Sequence, residues 1–522
     1  MKTAVVLNTL IGGNREVSNG LARGDSKRIS GVISEGDYPW ANTIAGLDPV
    51  DELLSKCRRL VEEKDIYIII DGASSDELKG RFTGYHLIIV DDWKLHTVFN
   101  AMYSACREYE DIVYWYIDAP LIDTAITKQM QKSHREEVAD YTYGEGFPEG
   151  ITPEVLRTNI LPKLISLIGD EKKSIRRNSI FEVLSKDINS FDIETFFSPK
   201  DMRLERIQLF TSLKRTRLIV DSVVERKGFG CSFEELAGLF ESEPSVTRTV
   251  PSYIEIEITN KTNIGYIYSP LQFLTRPRGL MPFRHFEKIF NKLLDFSENF
   301  YIAFSLLGEP LMHQDIARFI ELVVVNNGVN LILETDGTLF TPDFSDYIHK
   351  LDADNLSIIF EVDAIRDDTY RKIRGGDLSM VERNIRYLLE KGVDNVYVQM
   401  VRMDVNEDEM LEFFEVWERE AKGAVIQKYN SYLNLLPSLS GSDLKPLERG
   451  KCWHLLRDLV IFWDGKVPRC KQDINGKFLL GNILEDTLPD IWKRGEFFWL
   501  DHSRKEYDEY CKICDEYFTF NF

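Results

Sequence analysis

Tyr301-Ile302-Ala303-Phe304-Ser305-Leu306-Leu307, Asn330-Leu331-Ile332-Leu333-Glu334-Thr335 and Leu356-Ser357-Ile358-Ile359-Phe360-Glu361-Val362-Asp363 are apolar runs of strand length, spaced along one stretch of the chain. Residues 254–258, 395–402 and 424–429 supply three more such runs. Around them apolar residues repeat with helical spacing, as in Phe283, Phe286, Ile289, Phe290, Leu293 and Leu294, and again in Met410, Leu411, Phe414, Val416 and Trp417. Six strand–helix units in succession predict a parallel (β/α)6 partial barrel over 249–435. Its chemistry belongs at the C-terminal ends of the strands.

Outward from that core, residues 1–168 also alternate short strands with amphipathic helices, which predicts a Rossmann-like α/β domain with a parallel sheet. The opening Met1-Lys2-Thr3-Ala4-Val5-Val6-Leu7 is broken by Asn8 and no small-residue cleavage site follows, so it reads as a buried first strand. Residues 169–248, with Glu171-Lys172-Lys173 and Arg176-Arg177, read as a charged helical connector, and 436–522 as a small C-terminal domain. A length of 522 residues suits two to four domains, and no tract is long and apolar enough to span a bilayer. With 85 acidic against 64 basic residues, the net charge of −21 repels phosphate backbones and anionic lipid. Neither nucleic acid nor a membrane is expected as a partner. The oligomeric state is left open.

Seven cysteines, an odd and small number, point to cytosolic thiols or metal ligands rather than a disulfide scaffold. A cytoplasmic location is expected. Cys57 and Cys106 lie on apolar helix stripes and read as small buried hydrophobes, while Cys231 precedes the capping signature Ser232-x-x-Glu235. Cys452, Cys470, Cys511 and Cys514 are different. Cys511-x2-Cys514 lets two sulfurs face one centre, and Cys452-x12-Gly465-x4-Cys470 brings two more from a turn and strand, the spacing of a metal site. Iron–sulfur and zinc both accept four thiolates. The eight histidines form no ligand array.

The segment from Ile256 to Pro270 resembles the first strand and cluster loop of radical S-adenosylmethionine (radical SAM) enzymes, a family whose loop holds a 4Fe–4S cluster through Cys-x3-Cys-x2-Cys. Here the spacing is kept and Thr262, Tyr266 and Ser269 occupy the three ligand positions. Leu307-Gly308-Glu309-Pro310 resembles the family's Gly-Gly-Glu-Pro motif, Glu334-Thr335-Asp336-Gly337-Thr338 its Thr-Asn-Gly signature, and Asp368-Thr369-Tyr370-Arg371-Lys372-Ile373-Arg374-Gly375 the turn after its fourth strand. In the tail, Cys452, Gly465 and Cys470, then Gly481-Asn482-Ile483, Leu488-x-x-Ile491-Trp492 and Cys511-Lys512-Ile513-Cys514, resemble the SPASM or twitch domains appended to such barrels. Phe520 stands where a further cysteine would follow, leaving ligands for one auxiliary-type cluster. Asp118-Ala119-Pro120-Leu121-Ile122 resembles the metal-binding element of nucleotide-sugar-type nucleotidyltransferases, with Gly12-Gly13-Asn14-Arg15 in place of their phosphate loop. The order of the three parts is similar to that of the spiro-SPASM proteins.

The resemblance implies one 4Fe–4S cluster on Cys452, Cys470, Cys511 and Cys514, with zinc as the alternative, and an amine-bearing ligand at Gly308 and Glu309. S-adenosylmethionine is not an expected cofactor, because Thr262, Tyr266 and Ser269 are hard and mostly protonated oxygens in place of soft thiolates. The leading expectation is a SPASM-domain protein that recognises a peptide or protein, or acts as a redox module. The alternatives are a nucleotidyltransferase-type enzyme with Asp118 on a divalent metal, or a structural zinc scaffold. A Glu before Pro also serves as a turn residue, and a strand-end Asp as a helix cap. Asp123 is read as such a cap.

Overall fold

The computed structural model describes residues 2–9, 42–72, 75–169, 173–442 and 445–519. The Gly12-Gly13-Asn14-Arg15 stretch, Glu171-Lys172 and Phe520 lie outside the described residues. The chain forms two compact units, Met1–Thr249 and Val250–Phe522.

In the first unit, strands β1 (Thr3–Asn8), β2 (Ile66–Asp71), β3 (His86–Val90), β4 (Asp111–Tyr116), β5 (Tyr141–Glu145), β6 (Glu154–Arg157) and β7 (Ile193–Phe197) make one sheet, ordered β3-β2-β1-β4-β6-β5-β7. β1 runs parallel to β2 and β4, whereas β6 is antiparallel to β4 and β5. Successive side chains of β1 enter opposite cores: Val5 and Leu7 join one, Ala4 and Val6 the other. A sheet covered on both faces needs continuous apolar strands, which is why these were readable in the sequence.

The stretch 169–248 differs from the expected helical connector. β7 lies within it and pairs with β5, and helices Lys214–Lys227 and Phe233–Ser242 place Ile219, Val223, Leu236 and Phe240 in the same core as Val5 and Leu7. The reason is positional. β7 is an edge strand whose residues are half-buried or exposed, so its sequence carries polar groups and no clean alternation.

The second unit contains β8 (Tyr253–Ile256), β9 (Phe300–Phe304), β10 (Val329–Thr335), β11 (Leu356–Glu361), β12 (Val396–Arg402) and β13 (Gly423–Lys428), each parallel to the next. Alternate side chains, among them Ile254, Ile302, Leu331, Ile358 and Val398, pack against Phe286, Phe319, Ile348, Ile385 and Trp417 of the covering helices. The intervening residues face the other side: Tyr253, Ala303, Ile332 and Ile359 cluster there. The period of two places Glu255, Ser305, Glu334, Glu361 and Gln399 on that inner face as well. A further strand, β14 (Asp458–Ile461), comes from the tail and pairs in parallel with β8. Of residues 436–522, expected as a small C-terminal domain, this one strand joins the barrel's sheet. β15 (Lys466–Pro468) and β16 (Leu479–Asn482) form the tail's antiparallel hairpin.

Candidate metal centre and barrel mouth

The tail folds so that its four cysteines line one cavity, together with Arg449, His454, Arg469, Gln472 and His502. Cys452 precedes helix Trp453–Arg457, packs against Leu455, Leu456, Trp499 and Tyr517, and its N–H donates to His502 Nδ1 at 3.3 Å. Cys470 leaves the hairpin just after β15. The turn before it requires Gly465, at φ 83°, where an added Cβ would stand 2.6 Å from Asn482 Oδ1. Cys511 and Cys514 sit on and just beyond helix Glu509–Ile513, which Asp508 caps by accepting the Cys511 N–H at 2.8 Å. Arg469 donates to Asp508 and lies over the rings of Phe478 and Phe498, at 4.7 and 4.8 Å.

Burial dominates the electrostatics of this cavity, whose lining also includes Arg449, Arg469 and Lys471. Burial pushes the Cys511 and Cys514 thiols up to about 12, and it raises Cys452 and Cys470 too, with neighbouring cysteines adding to the rise at Cys452. The Arg469 charge opposes this at Cys470 and Cys511, and backbone N–H groups oppose it as well. Those of Gln472 and Asp473 are directed at Cys470, that of Leu455 at Cys452, and that of Glu516 at Cys514 Sγ at 3.4 Å. N–H donors on sulfur favour thiolate, the form a metal requires. Among the described residues, no group of three or more His, Cys, Asp or Glu side chains is arranged to hold a metal ion as it stands. The four thiols line one cavity, and four soft sulfur donors are the ligand set that an iron–sulfur cluster or a zinc ion accepts.

Cys57 and Cys106 lie in the two cores of the first unit, and Cys231 precedes a helix whose capping box is formed by Ser232 and Glu235. Asp123 caps helix Thr124–Glu136. Asp118 is 1% exposed, and its Oδ2 accepts from Arg177 at 2.5 Å. The guanidinium lies over Phe210 at 3.5 Å and Tyr116 at 4.6 Å, so an internal cation already holds this carboxylate.

At the barrel mouth the three loop positions are engaged locally. Thr262 Oγ1 donates to Ile264 O at 2.8 Å, Ser269 caps the turn Pro270–Phe273, and the Tyr266 ring lies 4.6 Å from that of Tyr268. Beside them Arg374, fully buried, donates to Asp363, Tyr268 and Glu361. The sequence motif contained Arg374 but gave no sign of that burial. Gly308 is needed for close packing: a Cβ there would meet Thr259 O at 2.2 Å. Glu309 is turned inward, with Oε1 accepting from Leu311 N and Thr335 Oγ1 and Oε2 from Asp336 N. Burial and the neighbouring Asp336 push its carboxyl up to about 8. Arg469 and Gln472, which flank Cys470, were not singled out from sequence, although their position beside a ligand was the available signal.

Comparison with known proteins gives two family matches: the radical SAM superfamily over residues 261–416, and an iron–sulfur cluster-binding domain (SPASM) over 452–515. An uncharacterized protein of Treponema pallidum is 30% identical over 358 residues, covering 66% of this chain and 98% of its own. A tungsten-containing aldehyde ferredoxin oxidoreductase cofactor-modifying protein of Pyrococcus furiosus is 24% identical over 307 residues, 49% of this chain and 84% of its own. A solved cytidylyltransferase from Leptospira borgpetersenii aligns with 47% of this chain and 97% of its own at 13% identity and a TM-score of 0.37.

Proposed function

Since the chain belongs to the radical SAM superfamily and carries its SPASM domain, we propose that it binds one auxiliary-type 4Fe–4S cluster through Cys452, Cys470, Cys511 and Cys514 and does not cleave S-adenosylmethionine. The observation that carries this reading is the contrast between the tail and the barrel mouth. In the tail, four thiols line one cavity, with backbone N–H groups aimed at three of their sulfurs. At the mouth, Thr262 and Ser269 are committed to their own turns.

The ligand chemistry supports the second half. Thiols ionise near 8.5 in solution, phenols near 10, and burial raises Tyr266 further, so its hydroxyl is a poor anionic ligand at neutral pH. Three hard oxygens replace three soft sulfurs badly. A cluster bound in the tail would supply one-electron redox chemistry. The residues around it bury the thiols, direct N–H groups at them and fix the ligand loops through Asp508 and Asp473. The partner we propose for the chain is a peptide or a protein. Iron and sulfide analysis of anaerobically purified protein tests the reading. About four iron and four sulfide per chain are expected; one zinc and no sulfide would replace the cluster with a structural zinc site.

A further inference from the structure

Gln472 is 5% exposed, lines the cysteine cavity, and neither its Nε2 nor its Oε1 has a hydrogen-bond partner among the described residues. A buried primary amide left without partners on both ends is costly, on the order of 1–3 kcal/mol for each group, and calls for an explanation. The surrounding loop is not loosely placed. Asp473 accepts from Lys477 N at 2.8 Å and Phe478 N at 2.7 Å, Arg469 N donates to Phe478 O at 2.9 Å, and Asp473 N donates to Cys470 O at 3.1 Å. The backbone N–H of the same Gln472 is already directed at Cys470. Arg469, on the other side of Cys470, also has its Nε buried without a partner.

Resting on the cluster reading above, we propose that the Gln472 side-chain amide donates an N–H···S hydrogen bond to the centre held by the four cysteines and thereby raises its reduction potential. A half-turn about the terminal torsion of the side chain presents nitrogen to the cavity whichever way the amide is drawn. Each added electron places more negative charge on sulfur, so a fixed donor stabilises the reduced form more than the oxidised one. The bond need not hold the metal. It sets how readily the metal is reduced, which makes Gln472 a tuning residue.

The test compares the reconstituted full chain with its Gln472→Met and Gln472→Glu variants. Gln472→Met keeps the length and removes the donor. Gln472→Glu keeps the shape and replaces the donor with an acceptor, so it serves if the first variant folds poorly. Iron and sulfide content, the visible spectrum and a potentiometric titration are measured on each. The expected result is full iron content in the variants, with the reduced-to-oxidised ratio at a fixed solution potential lowered about fivefold, somewhat less than one charge-assisted hydrogen bond. Full iron content with an unchanged midpoint in both variants overturns the role of Gln472 and leaves the cluster reading standing. Absence of iron and sulfide from the unaltered chain overturns both.

Discussion

Arg374 Nε donates to Asp363 Oδ2 at 2.6 Å, and both side chains are fully buried. Asp363 Oδ1 accepts the Val401 N–H at 2.7 Å, and its backbone is held at φ 67°, so the pair ties the end of β11 to β12 through a residue in a strained conformation. Arg374 also receives the Tyr268 hydroxyl and Glu361 as acceptors. A guanidinium with these partners occupies the mouth of the barrel beside the Tyr266–Tyr268 pair.

Removing one member of such a pair leaves the other charge buried alone. Arg374→Met is expected to destabilise the protein by about 3–5 kcal/mol, read from denaturant unfolding. Arg374→Met with Asp363→Asn should recover part of the loss. With the Asp363→Asn single variant closing the cycle, a double-variant loss equal to the sum of the two single losses would show that the pair is not coupled.

The cysteines should sort in the same way. Cys511→Ser and Cys514→Ser are expected to lose bound metal and loosen the tail, since binding energy at such a site is also folding energy. Cys57→Ser and Cys106→Ser should retain full metal content and cost about 1–3 kcal/mol for burying a hydroxyl in an apolar core. Metal analysis of the four variants checks both halves.

Loading the centre should release protons. With the metal-free Cys511 and Cys514 thiols near 12, each carries its proton at neutral pH and must lose it to become a ligand. Apparent affinity therefore rises with pH through the neutral range and falls on acidification. Calorimetry in buffers of different ionisation enthalpy measures the release, and a metal affinity independent of pH would contradict it.

Anaerobically reconstituted protein with a strong reductant is expected to give no 5′-deoxyadenosine from S-adenosylmethionine above a protein-free control. Chromatographic detection of that product from the unaltered sequence would overturn the assignment of Thr262, Tyr266 and Ser269 as non-ligands.

Asp118 and Arg177 make the analogous test in the first unit. Arg177→Met should cost about 3–5 kcal/mol by stranding a carboxylate that is 1% exposed. If the site belongs to a divalent cation, millimolar Mg²⁺ should restore stability to this variant and leave the parent unchanged. Failure of Mg²⁺ to restore it would retire the metal-ligand reading of Asp118.

Glu334 gives a pH signature. Burial, with Glu361 and Glu255 nearby, pushes its carboxyl up to about 8 from an ordinary 4.5. Between those values the folded protein holds a proton that the unfolded chain has lost. Its contribution is thus full below pH 4.5 and is lost as pH rises to about 8. Glu334→Gln should flatten the decline of thermal stability over that window relative to the parent.

Much of this was legible because local pattern and burial coincide. The six barrel strands announced themselves as apolar runs since their outward residues, such as Ile302, Leu331 and Ile358, are all in one core. The cysteine quartet was legible because Gly465 and the Cys511–Cys514 spacing are local constraints. Pairings between distant segments left no comparable trace. Nothing in Asp458-Leu459-Val460-Ile461 says that its neighbour is Tyr253-Ile254-Glu255-Ile256, and nothing in Arg177 says that its partner is Asp118. Gln472 is a polar residue whose burial only the folded loop reveals.

The pairing of β14 with β8 also bears on how the chain is made. During synthesis β8 leaves the ribosome before every other strand of its sheet, and β9 soon covers one of its edges. Its other edge must wait for β14, which follows the whole barrel and Cys452. Throughout that interval the nascent sheet presents a row of open N–H and C=O groups, a template for pairing with another chain. The tail's strand therefore acts as a late seal, and a chain truncated before Asp458 should aggregate.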